Sequence, residues 1–357
     1  GGIGFAVVTS KNGEARFNDI LVEGCVIHDC SNQGIITECV SGDRFYPQTP
    51  EWKSMRITNA RIKNNMLYNI AKNAMIIRLF DGGVVENNVC FNTANGISGN
   101  TIFSCVCDGT VFQFNEGFLN NSPSADGSMY DADLRSPNTY WQYSYSHDNA
   151  HGLFWNCTVQ KDSNIVCRYN ISKNDKGIIF CVNYPVNSIS FYNNTVYVPQ
   201  HLSPVIISER NRGSSSTGPN TRTYSFKNNI IYNLSPTTTY QWNDMKNRYL
   251  RTFTANCFYG IHPENEPADP RKIILNPKFV NPEIDSFHTH EITGGFRLQA
   301  DSPCIDAGAE IENNGGRDHW GNPIYNHKPD VGAHEYQRYF SLLHVLSDGT
   351  NISLITK

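Results

Sequence analysis

VENNVCFN, residues 85–92, decides how this chain is read, because the same phrase returns along most of its length. It stands as IKNNMLYN at 62–69, FYNNTVYV at 191–198 and FKNNIIYN at 226–233. Looser copies begin at Val22, Phe112, Trp141, Cys167 and Phe253. Aligned on the fourth position, the copies give Cys25, Asn65, Asn88, Asn115, Ser144, Asn170, Asn194, Asn229 and Asn256, which is Asn in seven of nine. Aligned on the first, they give an apolar column: Val22, Ile62, Val85, Phe112, Trp141, Cys167, Phe191, Phe226 and Phe253. The period is about 23 to 40 residues, mostly near 26, the range of solenoid repeats.

Each unit holds short strand-like runs broken by Asn and Gly, with no helical period. One unit cannot bury its apolar residues alone, whereas stacked units share a continuous core. Asn side chains stacked at a bend hydrogen-bond the copies on either side, as amide ladders do in other stacked strands. Asn also tolerates the left-handed backbone of a tight bend. The pattern predicts an all-β fold: a single-stranded right-handed parallel β-helix of about nine or ten coils. A two-sheet sandwich has no reason to keep Asn at one repeat position.

Composition narrows the function. Charged residues are 17% of the 357, aromatics 12%, and the net charge is −4. Without a basic stripe, no nucleic-acid partner is expected. No apolar run reaches the length of a membrane span. The chain opens on GGIGFAVVTS with no visible secretion signal, and the expectation is that the numbering starts after a removed leader. The eleven cysteines show no paired metal-ligand spacing. They are expected to be mostly reduced core residues, with one or two disulfides if the protein is secreted.

A second recurring phrase reads GIITECV at 34–40, AMIIRLF at 74–80, GSMYDAD at 127–133, GLFWNCT at 152–158, GIIFCVN at 177–183 and PVIISER at 204–210. Its fifth position gives Glu38, Arg78, Asp131, Asn156, Cys181 and Ser208, a polar column within a core-like strand. The copy near 96–107 is too irregular to align. Insertions at 41–52, 97–109, 116–127 and 209–222 bracket this column and are expected to wall a groove, since insertions in solenoids map to loops, often on the binding face. On the first of these loops, Trp52, Tyr46 and Arg44 either stack on a sugar ring or cover a hydrophobic edge.

From about residue 276 the repeat fades into NPKFVNP, GGFRLQADSPCIDAGAEI, DHWGNPI and PDVGAHEY. These residues, among them Asn276, Pro277, Ser302, Pro303, Asp306, Gly308, Asp318, Gly321, Asp330, Gly332 and Glu335, resemble the closing segment of secreted bacterial β-helix proteins of the pectate-lyase-like superfamily. The resemblance is specific over about 60 residues and weak over the coils. It implies a carbohydrate-active protein, secreted, periplasmic or cell-surface, with a closing segment on the last coils whose acids are structural. The expected organisation is a β-helix over 1–272, a closing segment over 273–340 and a tail over 341–357, in a monomer. An open coil end also needs covering on physical grounds.

The strongest chemical signal is YDADLR at 130–135. Asp131 and Asp133, two residues apart on one strand, share a face. Like charges that close push one pKa up, so acid and base coexist at neutral pH. Carboxylates flanking a glycosidic bond are the apparatus of glycosidases. Their spacing along a strand, about 6.6 to 7 Å, leans toward inversion. The alternatives are a calcium site and a decorated strand; catalysis itself requires no cofactor, calcium is the ion expected if one binds, and the cysteine spacing does not point to zinc. Glu38, Arg78, Asn156 and Glu209 are substrate-binding candidates, Arg78 either clamping a uronate carboxylate or pairing with Glu38 or Asp131. His147 sits in a mostly aromatic column and is either a packing residue or an acid–base group. His151-Gly152 is similar to the His-Gly that follows the aspartates in polygalacturonases, but their adjacent Asp pair and downstream Arg-Ile-Lys are missing. Three readings follow: a glycoside hydrolase on a polysaccharide or oligosaccharide, a polysaccharide lyase, and a non-catalytic carbohydrate-binding β-helix.

Overall fold

The computed structural model describes residues 1–8, 15–39, 46–124, 126–157, 164–183, 186–210, 222–243, 249–286, 289–324 and 328–338. The expected tail at 341–357 and Arg44 lie outside them. The chain is a parallel β-helix. Three sheets run along it, each with nine strands among the described residues, and neighbouring strands pair in parallel.

The apolar column fills the inside of the coil. Register pairs Val22 with Ile62, Ile62 with Val85, and so on through Phe112, Trp141, Cys167, Phe191 and Phe226 to Phe253. All nine are buried in one core. The rings stack along the axis, Phe112 on Trp141 with centroids 3.9 Å apart and Phe191 on Phe226 at 4.7 Å. Burying each such side chain contributes about 1.5 to 3 kcal/mol.

At the bend between the second and third sheets the amides form a continuous ladder. The side-chain oxygen of Asn88 accepts from both the backbone N–H and the Nδ2 of Asn65. The pattern repeats from Asn88 to Asn115, Asn170 to Asn194, Asn194 to Asn229 and Asn229 to Asn256. Ser144 bridges the one interior rung without Asn, the Cys25 amide joins the near end by donating to Asn65 Oδ1, and Asp269 closes the far end. The left-handed residue is the one before each rung: Asn64, Asn87, Phe114, Tyr143, Tyr169, Asn193, Asn228 and Ala255 all have positive φ. The ladder Asn is therefore chosen for its amide, and its predecessor takes the strained backbone. A second buried ladder joins Asn120 to Asn149 and Asn149 to Asp175.

The C-terminal segment packs along the flank of the third sheet. Phe279, Phe296, Leu298, Cys304, Val331 and Ala333 bury against Tyr145, Ile171, Tyr197, Ile230 and Cys257. Residues just after the last coil extend it, with Ile273 bridging to Cys257. The segment's acids are structural. Asp318 accepts from the amides of Trp320, Asn322 and Glu335, Asp330 from those of Asp306 and Tyr336, and Glu335 from that of Asp330.

Candidate functional site

The outer face of the first sheet carries the acids. Tyr130 and Ala132 point into the core, so alternation turns Asp131 and Asp133 outward. Ile102–Cys105, the copy too irregular to align in sequence, is the coil between Arg78 and Asp131. The true column through Asp131 is Ile36, Ile76, Phe103, Asp131, Trp155, Cys181 and Ser208.

This register corrects the polar column. Arg78 pairs with Cys105 and stands two residues beyond Ile76. Asn156 pairs with Ala132 and Val182, both core residues, so it faces the coil interior and does not reach the groove. It is fully buried, and neither atom of its amide has a partner.

A cleft of about 560 Å³ lies over four coils of this face, lined by Glu38, Arg78, Phe103, Asp126, Asp131 and Asp133 together with Lys72, Asn73 and Asn100. Four of the residues singled out from sequence therefore meet. Arg78 sits 5.7 Å from the centre of the Phe103 ring, which separates its coil from that of Asp131.

Asp131 is only 5% exposed. Asn100 Nδ2 donates to its Oδ2 at 2.8 Å, and its Oδ1 is buried without a partner. Burial, reinforced by the charges of Asp133 and Asp126, holds its carboxyl well above the usual carboxylate range. Asp133 is half-buried, and one oxygen of each lies within 4.8 Å of the other. The side chains lean together, so their separation is shorter than the strand rise implies.

Sequence reading missed Asn100, Phe103, Asp126 and Cys157. Asn100 clamps the site: its Oδ1 accepts from the amides of Gly127 and Ser128, which fixes the turn after Asp126, while its Nδ2 holds Asp131. It and Asp126 lie in segments taken as insertions. Cys157 follows Asn156 and so stands opposite Asp133 on the next coil, its amide bonded to Ala132 O.

The other candidates lie elsewhere. Trp52 is wholly buried in a short helix, Pro50–Met55, and its Nε1 donates to Val106 O at 2.7 Å, so it covers an apolar edge rather than stacking on a sugar. Tyr46 packs on Arg135, with the guanidinium 4.7 Å from the ring centre. His147 belongs to the third sheet, stacked on Phe118 and held by Glu116 and Asp148. Its two acidic partners raise its pKa against the opposing effect of burial. His151 sits behind the cleft, its ring against Gly127 and Gly177, where a Cβ would fall 2.6 and 2.3 Å from ring atoms. It bonds Ser124 O at 2.7 Å and so buttresses the loop that carries Asp126. Burial lowers its pKa and keeps it neutral. Glu209 is buried in an ion pair with Arg251, with Tyr224 and the Asn243 amide donating to it.

The fold and site together define a parallel β-helix with a carboxylate-lined cleft on its first sheet. No family model matches the chain. It is similar to lacto-N-biosidase of Bifidobacterium longum subsp. longum, 29% identical over 316 residues, a match reaching 78% of this chain and 19% of that protein. The chain thus spans about a fifth of the length of that relative. Among solved structures, XylC in complex with xylose matches with a TM-score of 0.49 and 13% identity over 94% of this chain and 64% of that one. Pectate lyase Pel9A matches with a TM-score of 0.43 and 15% identity over 91% and 87%. No helix of the described residues is long and apolar enough to cross a membrane.

Proposed function

We propose that the protein is a glycoside hydrolase acting on an oligosaccharide or polysaccharide laid along the first sheet, in an extracellular or cell-surface setting. Asp131 is the general acid, and Asp133 the nucleophile or base. The observation that carries this reading is the unequal environment of two adjacent carboxyls. Asp131 is buried, which raises its pKa and favours its protonated form, while Asp133 is less buried and closer to water. Such a split assigns acid and base.

In the reaction, Asp131 passes its proton to the glycosidic oxygen as the bond to the anomeric carbon breaks. Oxygens within 4.8 Å fall at the short end of carboxyl separations, near the roughly 5 to 5.5 Å of retaining enzymes. Asp133 then attacks the anomeric carbon, and water later releases the sugar while Asp131 takes its proton back. Asn100 orients Asp131, and Asp126 adds charge that favours its protonated form. Phe103 offers an apolar surface to a sugar face, and Arg78, Glu38 and Lys72 offer groups to its hydroxyls.

Elimination fits less well. A lyase needs a base beside a neutralised uronate; Arg78 and Lys72 line the cleft, but Asp126, Asp131 and Asp133 crowd the same face with acids, and His147 is on another sheet. The likeness to lacto-N-biosidase adds support for a glycan substrate. The test is a panel of purified oligosaccharides and polysaccharides, including lacto-N-biosides, read for reducing ends and unsaturated uronates together. Reducing ends alone support hydrolysis; unsaturated products overturn it.

A further inference from the structure

We propose that Asp131, Asp133 and Cys157 form a site for a thiophilic divalent cation of the zinc class, whose occupation blocks the cleft. One donor atom from each of the three lies within 4.8 Å of the others. The convergence is built by the fold. The two aspartates share a strand face, and the pairing of Ala132 with Asn156 sets Cys157 opposite Asp133 on the next coil.

Two further observations point to a ligand. Asp131 is nine-tenths buried and more, and with Oδ2 held by Asn100 its Oδ1 has no partner. The Cys157 sulfur, for its part, faces two N–H donors, Trp155 Nε1 and, at 3.4 Å, Asn183 Nδ2. Donors aimed at a sulfur are the outer-shell support of a metal-bound thiolate.

The thiol also selects the ion. Calcium takes oxygen ligands only, whereas zinc accepts a mixed set of thiolate and carboxylates. Three protein ligands leave the fourth tetrahedral position open. Tetrahedral zinc would hold these donors roughly 3.5 Å apart, so the side chains close by up to about 1.3 Å. Zinc takes the thiolate and the carboxylates, so binding releases the thiol proton, and any proton on Asp131, to solvent. With both carboxylates on the metal, neither is left to act on a glycosidic bond.

The site is read without substrate, so it stands or falls separately from the hydrolase reading. The full chain, freed of metal, is titrated with zinc(II) by calorimetry and with cobalt(II) by absorbance. The expected result is one equivalent bound with a thiolate-to-cobalt charge-transfer band, unaffected by millimolar calcium. Cys157→Ser should remove the band and weaken zinc at least tenfold, and Asp133→Asn should weaken zinc with the band reduced. Cys25→Ser, a half-buried thiol elsewhere, should leave both intact. Absence of the band in the wild-type chain overturns the proposal without recourse to any variant. A band that survives Cys157→Ser, or zinc affinity equal in the two proteins, overturns it as well.

Discussion

The Asn229 side-chain oxygen accepts two hydrogen bonds from Asn194, one from its backbone N–H and one from its Nδ2, both at 3.0 Å. The same Nδ2 donates to Cys167 O, so each ladder amide ties three coils. Asn194→Ala takes the side-chain acceptor from the buried backbone N–H of Asn170 and the Nδ2 donor from Cys167 O, while Asn229 Oδ1 keeps the backbone N–H of residue 194. A buried group that loses its partner costs about 1 to 3 kcal/mol. The variant should melt well below wild type. Asn121→Ala, in the exposed amide row of Asn69, Asn92 and Asn121, should shift the melting temperature little. Equal shifts in the two variants would contradict the ladder's structural weight.

Asn156 is the opposite case. Its amide is buried inside the coil among core residues with neither atom bonded. Replacing an unsatisfied polar group by an apolar one of similar shape is near neutral or stabilising. Asn156→Leu should therefore keep or raise the melting temperature and leave substrate affinity unchanged. A large loss of affinity would return Asn156 to the groove.

The docking of the C-terminal segment should depend on pH. Burial pushes Glu335 up to about 8 from 4.5 and Asp330 up to about 7 from 3.8. A carboxyl whose folded pKa is raised favours folding while protonated. That stability is present below the unfolded value and is lost as pH rises through the folded one. The window for Glu335 runs from about pH 4.5 to 8, with a slope of at most about 1.4 kcal/mol per pH unit. The melting temperature of wild type should fall relative to Glu335→Gln across this window. A constant difference, or a rise, would show that Glu335 is not desolvated in the fold.

All eleven cysteines are free thiols, eight of them buried. Burial drives Cys107 up to about 12 and Cys90 and Cys167 further up. A polar thiol reagent on the native protein should therefore modify no more than the three half-buried residues, Cys25, Cys39 and Cys157, and all eleven in denaturant. Fewer than eleven in denaturant without reductant would reveal disulfides.

The coil interior was legible because each rung repeats the same requirement. A residue facing the axis at the first position must be apolar, and a residue at the bend must offer both a donor and an acceptor. Val85 and Asn88 meet those demands, and their copies do so in register. The outer face carries no such demand, so its residues do not mark their own alignment. Phe103 and Asn100 sit in a coil without the repeated phrase, and aligning the phrase on its opening residue puts Arg78 and Asn156 in the wrong column. Asp131 and Asp133 could be paired from sequence because strand alternation alone puts them on one face. Of their partners, Asp126 lies in the loop leading into the same strand, and Cys157, on the next coil, follows only from the register.

The central claim is that Asp131 and Asp133 hydrolyse a glycosidic bond. The most direct measurement is turnover of a substrate cleaved by the wild-type chain, compared with Asp131→Asn and Asp133→Asn, each checked for folding and for ligand binding. Both substitutions keep the side-chain shape and remove the group that transfers a proton or attacks the sugar. Each should lower kcat by about a hundredfold or more with binding nearly intact. If both variants turn over at the wild-type rate, the reaction takes place elsewhere and the account of this cleft is wrong.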